Sequence, residues 1–406
     1  MIDNKAPNNT YFHYAIAGAG LSGLALALNL SNLELRGSTT SDSATKRICL
    51  IEPRTSYERD HTWCFWNNVV EKLDVPATKI WQKWKVKYLS KTSIRGSKRY
   101  PYTCVLADSY YDHALSKLKG YENINIFLGE SLKNVAYQDS ILEISTSQRT
   151  LTSQFLFDSR PPQARAGEFK QDFLGWQIKA DRAVFDSDCV TLMDFTDHTK
   201  LLNNSGTETK SKAYDGGFHF FYTLPFSESE ALVESVWIGF ERLRVEEHEK
   251  LLTNYLASEY GLKVFENVHT EVGCIPMQSI NTSSPDARHT LIGIAGGMAR
   301  SSTGYAFSAI HHSSKAISNC IKRNRWPNSI EGLSTKAQLL DRVLLTYLKQ
   351  NPSDGPLLLS SLFERVDSDV LVRFLCDRSS LADDASIFAV MPKKVELAAI
   401  MAQTIL

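Results

Sequence analysis

The chain has 406 residues, of which 45 are basic and 45 acidic, so its formal net charge is zero. This length exceeds what one hydrophobic core usually organises, which predicts two domains. The balanced charge argues against nucleic acid as the main partner. The seven cysteines show no C-x-x-C pair and no metal-ligand spacing, which predicts free thiols, a reducing compartment and no metal. The polar N-terminus lacks a signal-peptide core, and no apolar run reaches the about 18 residues of a membrane span.

A glycine motif near the N-terminus predicts a dinucleotide site. The stretch YAIAGAGLSGLALALNL places Gly18, Gly20 and Gly23 between a short apolar strand and a helix, which is the context that G-x-G-x-x-G needs. Gly18 permits the tight turn, Gly20 lets the backbone approach a pyrophosphate, and Gly23 lets the helix pack on the strand. The first N–H groups of the helix would face the phosphates. Without that context, the glycines alone would be compatible with a plain turn.

A second apolar segment, RICLIE, ends at Glu52. A carboxylate at this strand end can accept hydrogen bonds from ribose hydroxyls and repels a 2′-phosphate. The gap from the glycines is longer than the usual about 20 residues, and the polar stretch SNLELRGSTTSDSATK explains the excess as a surface excursion.

The remaining elements predict the domain order. Strand patterns occur in WQKWKVKYL, RYPYTCVLA and ILEISTSQRTLTSQFLFDSR, with a helix in SYYDHALSKLKGY. The segments GWQIKADRAVF, CVTLMDF, GFHFFYTLPF and EALVESVWIGF predict an antiparallel sheet. A helix in EEHEKLLTNYLASEYG precedes a second strand, glycine turn and helix in TLIGIAGGMARSSTGYAFSAIHHSSKAISNCI, and a helical tail begins at Ser334. Two strand–glycine–helix units around a β-rich segment are the layout of two-domain flavoproteins.

We therefore predict an α/β fold with a Rossmann-type FAD-binding domain, a second, mainly antiparallel β substrate domain and a helical C-terminal region. The predicted FAD-binding parts are residues 1–70, 111–172 and 286–325. The predicted substrate-domain parts are residues 71–110 and 173–285, and the C-terminal helical region is 326–406.

A set of motifs along nearly the whole chain resembles one family. In order they are IAGAGLSGLALALNL, DHTWCFW, FDSRPP, FLGWQI, TLMDF, FYTLPFSESEALVES, GCIPM and IAGGMARSSTGYAF. Together they resemble the bacterial lycopene cyclases, especially a branch with a TWCFW loop and a GWQ or GWE strand. The glycine motif is common to many flavoproteins, whereas HTWCFW and the P-F-S-x-x-x-A-L-V-E run are much narrower.

The resemblance implies an FAD-dependent lycopene beta-cyclase. It would close the linear ψ ends of lycopene into β-ionone rings, through γ-carotene to β-carotene, with no net redox change. The family uses reduced FAD, with NADPH or NADH as external reductant. The sequence leaves open whether one or both ends are cyclised, whether the ring is β or ε, and whether the essential acid or the flavin donates the proton.

The resemblance also assigns site residues. It places the essential acid at Glu234, where strand alternation alone allows either an inward or a solvent-facing side chain. Many relatives carry a second acid directly after the first, whereas this chain has Ser235, which weakens a mechanism based on two adjacent carboxylates. Asp158 of FDSRPP is assigned to the nucleotide domain, with a strand-end salt bridge to Arg160 as the alternative.

Further cofactor contacts are expected at the late glycine turn. The resemblance assigns Gly296, Gly297 and Met298 as backbone donors to the flavin, because the aspartate found in many flavoproteins is replaced by Ile294. Thr303 and Gly304 would open the helix beneath the flavin.

Aromatic residues are candidates for binding a polyene and stabilising a carbocation, because an aromatic face attracts a cation by up to about 2 kcal/mol. Ordinary core packing is the alternative for each of them. The substrate candidates are Trp63, Trp66, Phe221, Tyr222 and Trp237, with Phe220 beside them.

Two other functions share part of this pattern. A redox flavoprotein, such as an isoprenoid reductase or an FAD-dependent hydroxylase, would keep the glycines and Glu52 but consume one nicotinamide per turnover. A non-catalytic prenyl carrier would be expected to lose Glu234 or the cofactor glycines. Because lycopene resides in the bilayer, we expect a cytoplasmic protein that docks on the inner face of the membrane. The candidate docking elements are the segment SIFAVMPKKVELAAIMAQTIL and the apolar middle sheet.

Overall fold

The computed structural model describes residues 10–34, 46–161, 167–196, 216–278, 282–327 and 332–391. The strands in chain order are β1 (Thr10–Ala17), β2 (Ile48–Glu52), β3 (Thr62–Trp66), β4 (Lys79–Trp81), β5 (Lys83–Tyr88), β6 (Lys91–Gly96), β7 (Tyr102–Leu106), β8 (Ile124–Leu128), β9 (Leu132–Tyr137), β10 (Leu142–Thr146), β11 (Thr150–Asp158), β12 (Lys170–Lys179), β13 (Cys189–Asp194), β14 (Gly217–Pro225), β15 (Glu230–Gly239), β16 (Glu266–Pro276) and β17 (His289–Leu291). The helices are α1 (Leu21–Glu34), α2 (Ala107–Leu118), α3 (Val245–Tyr260), α4 (Phe307–Lys322), α5 (Thr335–Gln350), α6 (Gly355–Arg365), α7 (Ser368–Leu375) and α8 (Leu381–Phe388).

The first sheet is the nucleotide-binding type. Its seven strands have the order β8-β2-β1-β11-β10-β9, with β17 paired to β11. β1 runs parallel to β2 and β11, and β2 also runs parallel to β8. β2 is buried at every position, as expected for a parallel strand covered on both faces. α1 and α4 pack on one face of this sheet with α2, which confirms the predicted α/β fold.

The second sheet forms the middle domain. Its seven strands have the order β16-β12-β15-β14-β13-β5-β6, and all neighbours are antiparallel except β13 and β5. The segment RYPYTCVLA does not join it; β7 instead lies between β3 and β4 in a separate three-stranded sheet. One face of the middle sheet packs against α3. The other face packs against the three-stranded sheet and the C-terminal helices.

Both faces of the central strands β13, β14 and β15 are therefore covered by protein, whereas the edge strands β6 and β16 are largely exposed. The other candidate for membrane docking, residues 386–406, lies mostly outside the described residues, which end at 391. Among the helices that the structure describes, none combines the length and the hydrophobicity needed to cross a bilayer. The segment 31–46, predicted as a surface excursion, begins within a helix, since α1 continues to Glu34. Its residues 35–45 are outside the described ranges.

A buried ion pair attaches the C-terminal helices to the rest of the protein. Arg300 lies in the turn before α4 and binds Asp341 of α5, with its Nη2 2.6 Å from the nearer carboxylate oxygen. Its Nη1 donates to the carbonyl of Phe374 at the end of α7, 3.0 Å away. Because both charges are almost fully buried, removing either one alone would leave an uncompensated charge in the interior.

The closeness of α1 to β1 generates the first prediction. A Cβ added to Gly23 would lie 1.9 Å from the carbonyl oxygen of Gly18, so a Gly23→Ala substitution must push the helix off the strand. We expect a loss of about 1–3 kcal/mol in the free energy of unfolding, the usual cost of overpacking, measured as a lower midpoint of thermal denaturation. Gly120→Ala is the control, because its nearest new neighbour would be at 3.5 Å. Equal midpoints for the two variants would contradict this packing.

Candidate active site

The first glycine turn has the geometry of a phosphate-binding loop. Gly18 has a φ of 88°, a conformation that residues with a Cβ rarely adopt. A Cβ on Gly20 would meet nothing closer than the Nη2 atom of Arg54, at 3.5 Å, so the loop is open on this side. Helix α1 starts at Leu21, and its first N–H groups have no partner within the helix. The loop therefore offers unpaired donors beside an open surface.

Glu52 lies at the end of β2 and is buried. One carboxylate oxygen accepts from the N–H of Ala19, 2.7 Å away, and the other accepts from Nε of Arg54, 2.8 Å away. The guanidinium of Arg54 lies over the rings of Tyr57 and Tyr111. Glu52 thus fixes the glycine loop to β2. A ribose could reach its carboxylate only by displacing Arg54.

Asp158 takes part in a strand-end ion pair, the alternative interpretation from the sequence. Its carboxylate accepts from Nη2 of Arg160 at 2.7 Å and lies 3.3 Å from Nε2 of His289. Burial opposes ionisation, but the hydrogen bonds from His289 and Arg160 lower the pKa of Asp158 to about 2. The neighbouring Ser159 contacts the glycine loop instead, because its hydroxyl donates to the carbonyl of Ala17, 2.8 Å away.

The late glycine turn precedes α4 and is tightly folded. The N–H groups of Gly296, Gly297 and Met298 all donate to carbonyls of the same turn, at 3.2, 2.9 and 3.0 Å. In this conformation they are not available as the predicted flavin donors. Thr303 and Gly304 lie just before α4, and Gly304 has a φ of 74°.

Glu234 lies in the middle of β15, on the face of the sheet that is covered by aromatic residues. It is directly opposite Tyr222 of β14 and Gly175 of β12. A Cβ on Gly175 would lie 2.9 Å from Cγ of Glu234 and 3.6 Å from its Cδ. The side chain of Glu234 therefore lies over Gly175, in space that the side chain of any other residue at position 175 would occupy.

The environment of Glu234 favours its protonated form. Burial, followed by the charge of Glu271, raises its pKa to about 8. The residue is half-buried rather than fully enclosed. The inward orientation, which periodicity left open, is thus the one observed.

Glu271 was not identified from the sequence. It lies on β16 directly opposite Gly175, so Glu271, Gly175 and Glu234 form one row across three strands. Its Oε1 accepts a hydrogen bond from the hydroxyl of Thr62 and lies 3.7 Å from Nη2 of Arg59. The alternation of side chains along β16 and the glycine of the GWQ motif were the only sequence signals for this residue. The pairing of Glu271 with Gly175 is visible only from the register of the strands.

Ser235 points to the opposite face of the sheet. Its hydroxyl lies 2.9 Å from Nδ1 of His248 and 2.8 Å from Nε2 of His219. His248 in turn lies 3.2 Å from Asp172. Ser235, His248 and Asp172 are almost completely buried, so this network holds α3 on the sheet and is closed to substrates. An acid at position 235 would face this network rather than Glu234.

Two of the five predicted substrate residues lie on the Glu234 side. Tyr222 is the cross-strand neighbour of Glu234, and its hydroxyl is 3.0 Å from that of Tyr102. Trp66 packs against Tyr102 and Tyr305, with ring centroids 4.9 and 5.3 Å apart. Since Tyr305 directly follows Gly304, these rings connect the surroundings of Glu234 with the turn before α4.

The other three predicted substrate residues do not share this environment. Phe221 and Trp237 project from the opposite face and belong to the core beneath α3, because neighbouring residues of a strand alternate between its faces. Phe221 stacks on Tyr255 with ring centroids 3.9 Å apart. Trp63 lies on the other side of β3 from Trp66, in the core of the nucleotide domain. Their assignment to the surroundings of Glu234 is therefore corrected.

Comparisons with known proteins agree with this architecture. A geranylgeranyl bacteriochlorophyll reductase-like protein from Thermoplasma acidophilum has a TM-score of 0.61 at 11% identity, covering 97% of this chain and 99% of that one. A flavoprotein/dehydrogenase from Cytophaga hutchinsonii has a TM-score of 0.62 at 12% identity, with the same coverages of 97% and 99%. A mutant of the halogenase PltM in complex with FAD has a TM-score of 0.52 at 10% identity, covering 89% and 78%.

These identities establish a common fold and nothing finer. A comparison with curated protein sequences finds no significant match. The profile of the family described as lycopene cyclase protein, however, matches residues 14–400, from β1 to beyond the last described helix. This chain belongs to the lycopene cyclase family.

Proposed function

We propose that the protein is an FAD-dependent lycopene beta-cyclase, which closes the linear ends of lycopene into β-ionone rings. The observation that carries the proposal is the position of Glu234, half-buried on the aromatic face of β15 in a chain of this family, where burial and the charge of Glu271 raise its pKa to about 8. Ring closure of an alkene requires a shielded proton donor, stabilisation of a carbocation and a final base. None of these steps requires net oxidation or reduction.

The first glycine turn fits FAD. The left-handed Gly18, the open side of Gly20 and the N-terminus of α1 provide the cradle that a pyrophosphate needs. The fold is also that of a halogenase described in complex with FAD. Glu52 would hold the ribose once Arg54 moves aside. When bound in its reduced form, with NADPH or NADH as external reductant, the flavin supplies negative charge near the cation.

The protein's own residues supply the acid and the surroundings of the cation. With a pKa of about 8, most Glu234 carboxyls carry a proton at neutral pH, so the group can donate it to a terminal double bond. Tyr222, directly opposite Glu234 on the neighbouring strand, presents a π system to this site, and such a face stabilises a neighbouring cation by up to about 2 kcal/mol when water is excluded. The residues on either side of Glu234 on this face, Leu232 and Val236, are apolar and buried, which lowers the polarity around the carboxyl.

The substrate also suggests where the protein acts. Lycopene is dissolved in the bilayer, so we propose a cytoplasmic protein that binds peripherally to the inner face of the membrane. The docking candidates are the segment 386–406 and the exposed edge of the middle sheet. An amphipathic segment of this kind can lie in the membrane interface.

The cofactor assignment is tested at Gly20. A Gly20→Leu substitution should be tolerated by the fold, since nothing lies within 3.4 Å of the added Cβ, but it should fill the space where a pyrophosphate binds. We expect loss of the flavin absorbance with an unchanged circular dichroism spectrum. A variant that retains stoichiometric flavin would contradict the assignment of this loop.

The absence of net redox chemistry is tested by stoichiometry. After reduction of the flavin by dithionite, the protein should convert many equivalents of lycopene with no nicotinamide added, because the reaction conserves electrons. Chromatography of the carotenoids and the absorbance of NADH give the two quantities. Consumption of one NADH per product would instead establish a reductase, the alternative function suggested by the sequence.

The role of Glu234 is tested by Glu234→Gln, which keeps the shape of the side chain but removes the transferable proton. Positioned acid–base groups contribute about 10²- to 10⁴-fold, and we expect a loss at or above the top of that range with normal folding and flavin content. In the wild type, activity should fall as the pH rises through about 8, where Glu234 loses its proton. Glu230→Gln, on the same face of β15, is the control. A Glu234→Gln variant within about tenfold of wild type would leave the flavin as proton donor.

A further inference from the structure

A second carboxylate lies within reach of Glu234, and it does not come from the neighbouring position in the chain. Strands in a sheet are about 4.8 Å apart, so the backbones at Glu234 and Glu271, two strands away from each other, are roughly 10 Å apart. Gly175 lies between them in register and has no side chain to separate them. Glu234 leans over Gly175, and the charge of Glu271 acts on the Glu234 carboxyl, so the two carboxyls interact across this glycine.

The two carboxyls have opposite surroundings. Glu234 is bordered by Tyr222, by Leu232 and by the thiol of Cys64, and the structure gives it no cationic neighbour among the described residues. Glu271 has the hydroxyl of Thr62 as a hydrogen-bond donor. Contacts with donors and cations stabilise a carboxylate, whereas an apolar environment stabilises the acid.

A guanidinium and an imidazole approach Glu271 from two elements. Arg59, in the loop before β3, has its Nη2 3.7 Å from Oε1 of Glu271, and its Nε atom is buried without a hydrogen-bond partner in the described part of the chain. His269, two residues earlier on β16, has its Nε2 3.8 Å from the same oxygen. A pair of carboxyls whose environments differ in this way divides into an acid and a base.

We propose that Glu271 is the second acid–base group of this site, the carboxylate that takes up the proton released after ring closure and returns it to Glu234. The proposal rests on the cyclase function proposed above. Glu271 would act with Glu234 across Gly175, whereas a residue at position 235 faces the opposite side of the sheet.

The proton balance of this cycle closes. Glu234 loses its proton to a terminal alkene carbon, where a C–H bond forms, and the resulting cation is attacked by a second double bond to form the ring C–C bond. A C–H bond next to the cyclic cation then breaks, its electron pair forms the ring double bond, and the proton goes to Glu271. Transfer from Glu271 to Glu234 restores the starting state, so no electron and no proton is consumed per ring.

The charge of Glu271 also explains part of the raised pKa of Glu234. It is the second cause of the raised pKa of Glu234, after burial. Removing the negative charge must therefore lower the pKa of Glu234, and the loss of activity at high pH must move to lower pH. A residue that only stabilised the fold would not move this limb of the profile.

The test compares Glu271→Gln, Glu271→Asp and Glu266→Gln, the last an exposed glutamate at the start of the same strand. Flavin content, cyclised product and the pH profile are measured for each. We expect Glu271→Gln to lower kcat by about 10²-fold or more with little change in KM, and to shift the high-pH limb to lower pH. Glu271→Asp keeps the negative charge but moves it farther from Glu234, so its kcat should lie between those of Glu271→Gln and the wild type. Glu266→Gln should have the kcat of the wild type.

The outcomes separate the two proposals. If Glu271→Gln does not fold, the role of Glu271 is tested with Glu271→Asp. A kcat and a pH profile equal to those of the wild type in that variant would overturn the proposal. A wild-type rate and profile in Glu271→Gln, with Glu234→Gln inactive, would overturn the role of Glu271 and leave the cyclase function intact. Failure of the wild-type protein to cyclise lycopene would overturn both.

Discussion

The site depends on the alternation of side chains along β15. Residues 234 and 235 are neighbours in the chain but point to opposite faces of the sheet. Glu234 therefore enters an aromatic face with low polarity, which raises its pKa to about 8. Ser235 enters a closed hydrogen-bond network with His248 and Asp172 that holds α3 in place. A slip of one residue in the register would exchange the two environments and remove the acid from the site.

Gly175 and the three-stranded sheet complete this arrangement. Gly175 leaves room for Glu234 and allows Glu271 to approach from the next strand. Thr62 and Arg59, which support Glu271, belong to β3 and the loop before it, between the two large sheets. The ion pair between Arg300 and Asp341 fixes the turn that leads into α4. Glu234, Glu271 and the turn before α4 are thus held by separate elements of the fold.

The nucleotide-binding part of the fold could be predicted from the sequence. The glycine spacing, the strand before it and the acid at Glu52 identify the Rossmann-type unit, because that turn tolerates few alternatives. The orientation of Glu234 could not be obtained from periodicity, since β15 is buried at nearly every position. Glu271 was missed because its partnership with Glu234 depends on register across three strands. Phe221 and Trp237 were grouped with Tyr222 because composition does not distinguish the two faces of a doubly covered sheet.

The central claim is that Glu234 stays protonated at neutral pH because of its position in the fold. Infrared difference spectroscopy of the wild type against Glu234→Gln isolates the carbonyl band of this protonated carboxyl during a pH titration. The band should persist through neutral pH and disappear near pH 8. Its disappearance near the ordinary value for glutamate, 4.5, would show that the carboxyl is ionised in the working protein and would contradict the account.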